Sequence, residues 1–272
     1  MEIPFTKLQG NGNDFVLIDE YEKTVIPDEM KAGFAKTYGD RRFGIGADGV
    51  LYLMRSATGT LRMRIFQPDG SEAEMCGNGI RCLAKYALDA GYAKDTCTID
   101  TLAGPVGVGM AYREDSFIAT ISMPAPRFDR PAIPARGDGE YREHIGIFDV
   151  YGVNTGVPHA VVLVDDVGSV NIDSLAPPIR HHESFVNGAN VNFVQKTGED
   201  SIKIRTFERG VEGETLSCGT GAMASAAVIH HLGQMGETVN VETEGGPLVI
   251  YLKDGAKMEG PAETVFTGKI SF

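Results

Sequence analysis

Cysteine stands twice in this chain immediately before a Gly-x-Gly, as Cys76-Gly77-Asn78-Gly79 and as Cys218-Gly219-Thr220-Gly221. A helix that begins at such a segment leaves the N–H groups of its first turn without internal partners and positively polarised. Glycine lets an anion come close to those groups. A thiol at the same place has its thiolate favoured and its pKa drawn below about 8.5. Each segment thus joins an activated thiol to a carboxylate-binding site. Two of them facing one substrate can take a proton from one side of a carbon and return one to the other side, which inverts that carbon. The negative charge that reaches a carboxylate as its Cα–H bond breaks is stabilised by the same helix starts. The plainer reading, small buried cysteines at tight helix starts, suits one such cysteine. It suits two in matched contexts much less well.

The likeness of the two segments extends outward. They lie 142 positions apart, and at the same offset Glu72 matches Glu214, Gly91 matches Gly233, and Gly104-Pro105 matches Gly246-Pro247. Asp48 and Asn190, each preceded by alanine, also share it. Arg64-Ile65-Phe66-Gln67 matches Arg205-Thr206-Phe207-Glu208 at an offset of 141, so a one-residue insertion follows. Two copies at a domain-sized period indicate a duplicated domain, not a solenoid.

The elements that must hold the thiols can be sketched from periodicity. Leu61 to Phe66 and Ile202 to Phe207 alternate as strands. A polar turn, Pro68-Asp69-Gly70-Ser71, follows the first. Helices are expected from about Gly79 to Ala90 and from Gly221 to Leu232, with Gly91 and Gly233 as C-terminal stops. The second helix is small or apolar on every face, so it must be buried all round. Strand-like runs follow each helix, at 98–100 and 106–108 and again at 239–243 and 248–252. Strands enclosing a central buried helix are expected in each half, and the C-terminal segment ending at Phe272 is expected to return to the first domain's sheet. The expected fold class is α+β. The expected domains are residues 1–115 with 262–272, and residues 116–261.

Composition narrows the function classes. With 25 basic and 37 acidic residues in 272, the net charge is −12, which argues against nucleic acid as a partner. The first fifteen residues show no basic segment followed by an apolar run, so no signal peptide is expected. No apolar run is long enough to span a bilayer. Four cysteines are too few for a disulfide scaffold in a chain of this length, and a reducing, cytoplasmic setting is expected. No Cys-x-x-Cys or His-x-x-x-His spacing suggests a metal, and none is expected. The adjacent pairs His181-His182 and His230-His231 read as solvated surface. Gly44-Ile45-Gly46-Ala47-Asp48-Gly49 matches a dinucleotide fingerprint by letters, but a strand-like run follows it instead of a helix, so a turn is the better reading. Cys82 and Cys97 have no counterparts and read as core or surface thiols.

Taken together, these motifs resemble the diaminopimelate epimerases over nearly the whole chain. The segments that carry the resemblance are Gly10-Asn11-Gly12-Asn13-Asp14-Phe15, Gly44-Ile45-Gly46-Ala47-Asp48, Asp69-Gly70-Ser71-Glu72 and Met75-Cys76-Gly77-Asn78-Gly79-Ile80-Arg81-Cys82. In the second half they are Asn154-Thr155-Gly156-Val157-Pro158-His159, Asn190-Val191-Asn192-Phe193, Glu208-Arg209-Gly210 and Glu214-Thr215-Leu216-Ser217-Cys218-Gly219-Thr220-Gly221. The resemblance implies two pseudo-symmetric domains, each a mixed, barrel-like sheet around a central helix, with the active site in the cleft between them. It implies a cofactor-independent epimerase of lysine and cell-wall precursor synthesis that converts LL- to meso-2,6-diaminopimelate. Cys76 and Cys218 would be the acid–base pair, and His159 and Glu208 would help set their protonation. Gly77, Asn78, Gly79, Gly219, Thr220 and Gly221 would cradle the reacting carboxylate. Asn13, Asn154, Asn190, Glu208 and Arg209 would hold the far amino and carboxyl groups. Gln67, which stands where the family commonly has Asn, would join them. The expected partner is a small amino-acid substrate, and the expected assembly a homodimer.

Two other readings stay open on the residues alone. The same two-thiol chemistry serves racemases of proline, hydroxyproline or histidine, although a proline pocket calls for an apolar far end. A carboxylate-binding protein with idle cysteines is the reading from a different class.

Overall fold

A computed structural model describes residues 2–271, so Phe272 lies outside the described residues. The chain divides into two compact units, residues 1–121 with 259–272 and residues 122–258.

In the first unit, β1 (Glu2–Gly10) and β2 (Asn13–Glu20) form an antiparallel hairpin. Helix α1 (Asp28–Gly39) then crosses to β3 (Gly49–Arg55), which lies parallel to β2. A parallel pair requires such a crossover. β4 (Leu61–Phe66) returns antiparallel to β3, and the short β5 (Glu72–Ala73) turns back on it. Helix α2 (Gly77–Asp89) leads to β6 (Thr96–Thr101), parallel to β4. β7 (Gly104–Arg113) and β8 (Ser116–Ser122) continue the sheet antiparallel, which carries this unit past residue 115.

The second unit repeats the plan. β9 (Arg142–Ile145) pairs with β10 (Phe148–Asn154), which forms a hairpin with β11 (Pro158–Leu163). A short 3-10 turn and α3 (Ile172–Arg180) cross to β12 (Asn190–Lys196), parallel to β11. β13 (Ser201–Glu208) and β14 (Gly213–Thr215) follow antiparallel, then α4 (Gly219–His231). β15 (Thr238–Thr243) lies parallel to β13, and β16 (Gly246–Tyr251) antiparallel to β15. β17 (Lys257–Pro261) carries the chain back to the first unit, where β18 (Glu263–Ser271) pairs along β1. The return of the C-terminal segment is therefore observed.

The two central helices are built alike. α2 packs against β1, β2, β3, β4, β7 and β18, and α4 against β10, β11, β12, β13, β15 and β16. Each begins two residues earlier than periodicity alone suggests, at the glycine after the cysteine. Both end in the same cap. Gly91 and Gly233 sit at φ +75° and +71°, and the next N–H reaches back to Ala87 O at 2.8 Å and Ile229 O at 3.1 Å. A left-handed glycine closing a helix in this way satisfies its last carbonyls. The run Gly221 to Ile229 is buried without a break, as its all-round apolar character requires.

The sheets bury both faces. In the first unit Val16, Val50 and Phe66 pack on the α1 side, while Phe15 and Leu51 reach the start of α2. In the second unit Ala160, Val191 and Phe207 pack on the α3 side. No helix among the described residues is long and apolar enough to cross a membrane.

Register corrects one correspondence. Val50 lies opposite Phe66 and beside Val16, just as Val191 lies opposite Phe207 and beside Ala160. Gly49, not Asp48, therefore corresponds to Asn190, and the 141-residue offset extends through β3 and β12. A coincidence of letters one position away, Ala-Asp against Ala-Asn, hides this in the sequence.

Candidate active site

Each thiol is delivered by the same device. β5 and β14 fold back on β4 and β13, and each pairing is clamped by an arginine–glutamate fork. Arg64 meets Glu72 at 2.6 and 2.9 Å, and Arg205 meets Glu214 at 2.6 and 2.7 Å. Two parallel charge-assisted bonds fix geometry as well as distance. The glutamates repeated four residues before each cysteine thus act on the backbone that presents the thiol.

Cys76 and Cys218 both occupy the N-cap position, with extended backbone (φ −145°, ψ 116° and φ −121°, ψ 108°). Neither side chain caps its own helix, which leaves the first-turn N–H groups for a ligand. Cys76 Sγ lies 3.5 Å from Asn13 Oδ1, which also accepts from Asn78 Nδ2 at 3.3 Å. Asn13 in turn donates to Asp48 at 2.6 Å. Asn13 therefore sits beside the thiol in its own unit, held by Asp48. Around it, Lys7 and Arg41 grip Asp14 at 2.6 Å each, and Arg41 also meets Asp48 at 2.7 Å. Burial alone would raise the Asp14 carboxyl, but Arg41 and Lys7 outweigh it and hold it at about 2. Cys218 Sγ lies 3.4 Å from the Thr220 hydroxyl, and the Thr220 carbonyl accepts from Thr155 Oγ1 at 2.9 Å.

Beneath the two helix starts the floors differ. Matched by register, Phe15, Leu51 and Ile65 of the first unit correspond to His159, Asn192 and Thr206 of the second. The first floor is apolar. The second is a closed polar network: Asn192 Nδ2 meets His159 Nδ1 at 3.0 Å, and Thr206 Oγ1 donates to Asn192 Oδ1 at 3.0 Å. His159 is fully buried, and its Nε2 faces Asn190 Nδ2 at 3.5 Å. Burial, and then the charge of Arg209, pull its pKa down to about 3. It is a neutral imidazole at physiological pH, so it can orient neighbours but holds no proton to give as imidazolium. Asn192 and Thr206 lie within segments that the motifs and the repeat mark, but neither carries an expected role there. The signal available was the i, i+2 spacing of Asn190 and Asn192, which places both on one face of a strand.

His159 makes stability depend on acid in a defined direction. Its folded pKa is depressed, so the unfolded chain binds a proton that the folded chain refuses. Stability from this source is complete above about pH 6.5 and is lost as the pH falls towards about 3. The expected result is an imidazole NMR signal for His159 that does not titrate between pH 5 and 8; titration near pH 6.5 would contradict the burial argument.

Several far-group candidates are already engaged. Asn154 donates to Ala132 O at 2.7 Å and accepts from Gly156 N at 2.8 Å, which shapes its hairpin turn. Asn190 donates to Pro158 O at 3.2 Å and accepts from the Arg209 N–H at 2.8 Å. Arg209 is half-buried, and its guanidinium lies 3.5 Å from the carbonyls of Asn187 and Gly188. The Glu208 carboxyl is raised by burial, with the Thr215 hydroxyl opposing. Gln67 is exposed, its Oε1 3.4 Å from the Ser71 hydroxyl. Gly44 to Asp48 form a loop that leads into β3 at Gly49, and not a strand-to-helix turn. Cys82 and Cys97 are both core residues, and burial pushes the Cys97 thiol up to about 11. Of the histidine pairs, His181 and His231 are exposed, while His182 and His230 are half-buried, with His230 Nδ1 3.0 Å from Met235 O. No cluster of potential metal ligands occurs among the described residues.

Comparison with known proteins bears directly on this arrangement. The family model for diaminopimelate epimerase matches residues 5–124 and 151–271. A diaminopimelate epimerase of Methanothrix thermoacetophila is 50% identical over 272 residues, covering 99% of this chain and 96% of its own. One of Methanocella arvoryzae is 52% identical over 275 residues, covering 99% and 97%. Among solved structures, a Bacillus anthracis phenazine biosynthesis protein of the PhzF family matches with a TM-score of 0.72 at 16% identity, covering all of both chains. A hydroxyproline epimerase from Agrobacterium vitis matches at 0.66 and 15%, covering 99% and 92%. These structural likenesses concern the α+β fold alone. On the family match and the identity of its relatives over nearly their full lengths, the chain belongs to the diaminopimelate epimerase family.

Proposed function

We propose that this protein interconverts LL- and meso-2,6-diaminopimelate by two-base proton transfer between Cys76 and Cys218. The observation that carries the mechanism is the matched presentation of the two thiols, each at the N-cap of a buried helix behind an arginine–glutamate clamp. In this reading the first-turn N–H groups at Gly77, Asn78 and Gly79, and at Gly219, Thr220 and Gly221, hold the carboxylate of the reacting carbon. One thiolate removes the α-proton and becomes a thiol. The opposite thiol gives its proton to the other face and becomes the thiolate. The pair ends with its protonation states exchanged, ready for the reverse reaction. Asn13 orients Cys76, and His159 acts as a neutral positioning group. Glu208 and Arg209 receive the distant ammonium and carboxylate, whose charges they complement. Asn190 and Asn154 shape that end of the site through the backbone they hold, and Gln67 offers an amide near it. Two working thiols need a reducing compartment, which supports a cytoplasmic setting.

The test is stereochemical analysis of diaminopimelate incubated with the purified protein in heavy water without an added cofactor. The expected result is conversion of LL to meso with one solvent deuterium at the inverted carbon. Absence of both exchange and inversion would overturn the reading.

A further inference from the structure

A neutral imidazole carries one hydrogen and one lone pair on different nitrogens, and the tautomer decides what each side of the ring can do. In the polar floor of the second unit, two side-chain amides present N–H groups to the same ring. Asn192 Nδ2 lies 3.0 Å from His159 Nδ1, and Asn190 Nδ2 lies 3.5 Å from His159 Nε2. A neutral ring can accept from only one of them.

Each amide is oriented by its other partners. Asn190 Oδ1 accepts from the Arg209 backbone N–H at 2.8 Å, and its Nδ2 donates to the Pro158 carbonyl at 3.2 Å. A backbone N–H only donates and a carbonyl only accepts, so this amide cannot be turned over. Asn192 Oδ1 accepts from the Thr206 hydroxyl at 3.0 Å, and its Nδ2 also lies 3.5 Å from the Ala160 carbonyl. Turned over, Asn192 would set its oxygen against that carbonyl. His159, Asn190, Asn192 and Thr206 are all buried, so bulk water does not replace a missing partner. The shorter of the two contacts to the ring is the hydrogen bond, and Nδ1 is the acceptor. The hydrogen therefore sits on Nε2. There it faces a second donor, and no protein acceptor lies within hydrogen-bond distance among the described residues. The first unit has Phe15, Leu51 and Ile65 at the places of His159, Asn192 and Thr206, so the device belongs to the unit of Cys218 alone.

We propose that Asn192, keyed by Thr206, is a positioning residue that holds His159 as the Nε2–H tautomer. On its Nε2 side the ring then donates and does not accept. It offers a hydrogen bond to an acceptor atom but cannot take the proton of a thiol or of an ammonium there. The two thiols, presented alike, thus have unequal surroundings, one of which contains a fixed uncharged donor. This rests on the proposed function only in taking His159 as part of the reacting site.

The experiment is nitrogen NMR of the protein carrying isotope-labelled histidine, in which His159 is told from the other histidines by its failure to titrate. At neutral pH the expected spectrum has a protonated, pyrrole-type signal for Nε2 and an unprotonated, pyridine-type signal for Nδ1. Asn192→Asp offers Nδ1 only acceptor oxygens, and is expected to turn the Nδ1 signal pyrrole-type. Thr206→Val removes the hydroxyl that keys the amide and is expected to admit the Nδ1–H form. Thr206→Ser keeps the hydroxyl and is expected to keep the parent spectrum. A packing role would predict the reverse, since valine matches the shape of threonine and serine does not. Circular dichroism checks that each variant is folded. A protonated Nδ1 in the unsubstituted protein overturns the inference without any variant. So does an unchanged spectrum in folded Asn192→Asp or folded Thr206→Val. If Asn192→Asp does not fold, the parent spectrum and the two threonine variants decide. The tautomer is read without turnover, so the expected spectra in a protein that does not epimerise diaminopimelate would count against the substrate reading alone.

Discussion

Cys76→Ala and Cys218→Ala are each expected to reduce epimerisation of diaminopimelate by about 10²–10⁴-fold, the range that a positioned acid or base contributes. The loss should fall on kcat, since neither thiol holds the substrate's charged ends. The double variant should be little worse than either single one, because the two groups act as a unit and one without the other cannot invert a carbon. Isotope exchange separates the roles further. A variant that keeps one thiolate can still remove and return a proton on its own face, so slow deuterium uptake without inversion is the expected residual activity. Turnover unchanged by either substitution would refute two-base chemistry even if the protein epimerises its substrate. Serine in either place should restore little. Its hydroxyl is a far weaker acid than a thiol, and a helix start cannot make up the difference.

The second large effect separates two glycines that the sequence presents as equivalent. Gly221→Ala is expected to destabilise the protein by about 1–3 kcal/mol through overpacking. A methyl group there would stand 2.4 Å from Asn192 Oδ1 and 3.2 Å from Thr206 Oγ1, inside the polar floor that holds His159. Displacing Asn192 leaves buried polar atoms without partners, a further cost of about 1–3 kcal/mol where the network cannot close again. Activity should fall as well, because the same displacement moves the first turn of α4. Gly79→Ala meets Leu51 Cδ2 at 3.2 Å and the Phe15 ring at 3.6 Å. A leucine methyl can turn aside and no hydrogen bond is broken, so a change within about 0.5 kcal/mol is expected. Urea denaturation midpoints of the two variants check this directly. Equal losses would mean that the floors do not differ as register indicates.

Much of the chemistry was legible in the sequence because it is local. A cysteine before Gly-x-Gly, a helical run and a closing glycine lie within about fifteen residues of one another, and α2 and α4 form where that pattern puts them. The duplication was legible for the same reason, since each copy repeats its letters in order. The crossover helices were not. In α3 the apolar stripe of Ile172, Leu175, Ala176 and Ile179 is interrupted in the letters by the helix-breaking pair Pro177-Pro178, and in α1 a buried Lys31, held by Glu20 at 3.0 Å, breaks the apolar pattern. Parallel pairing of β2 with β3 and of β11 with β12 demands these helices, but strand pairing is a property of the folded chain.

The sequence by itself determined the family, the α+β plan and the two thiols, since each rests on residue types at short fixed spacings. Only the tertiary structure decided what surrounds them. Register, which a one-residue slip reverses, set His159, Asn192 and Thr206 against Phe15, Leu51 and Ile65. Hydrogen bonding showed that Asn154 and Asn190 spend much of their capacity on nearby backbone. Packing set two amide donors against the His159 ring, which accepts from only one of them while it is neutral. Residue type states what a side chain can donate, accept or ionise. Which of those capacities remains available to a substrate depends on neighbours that are distant in the chain.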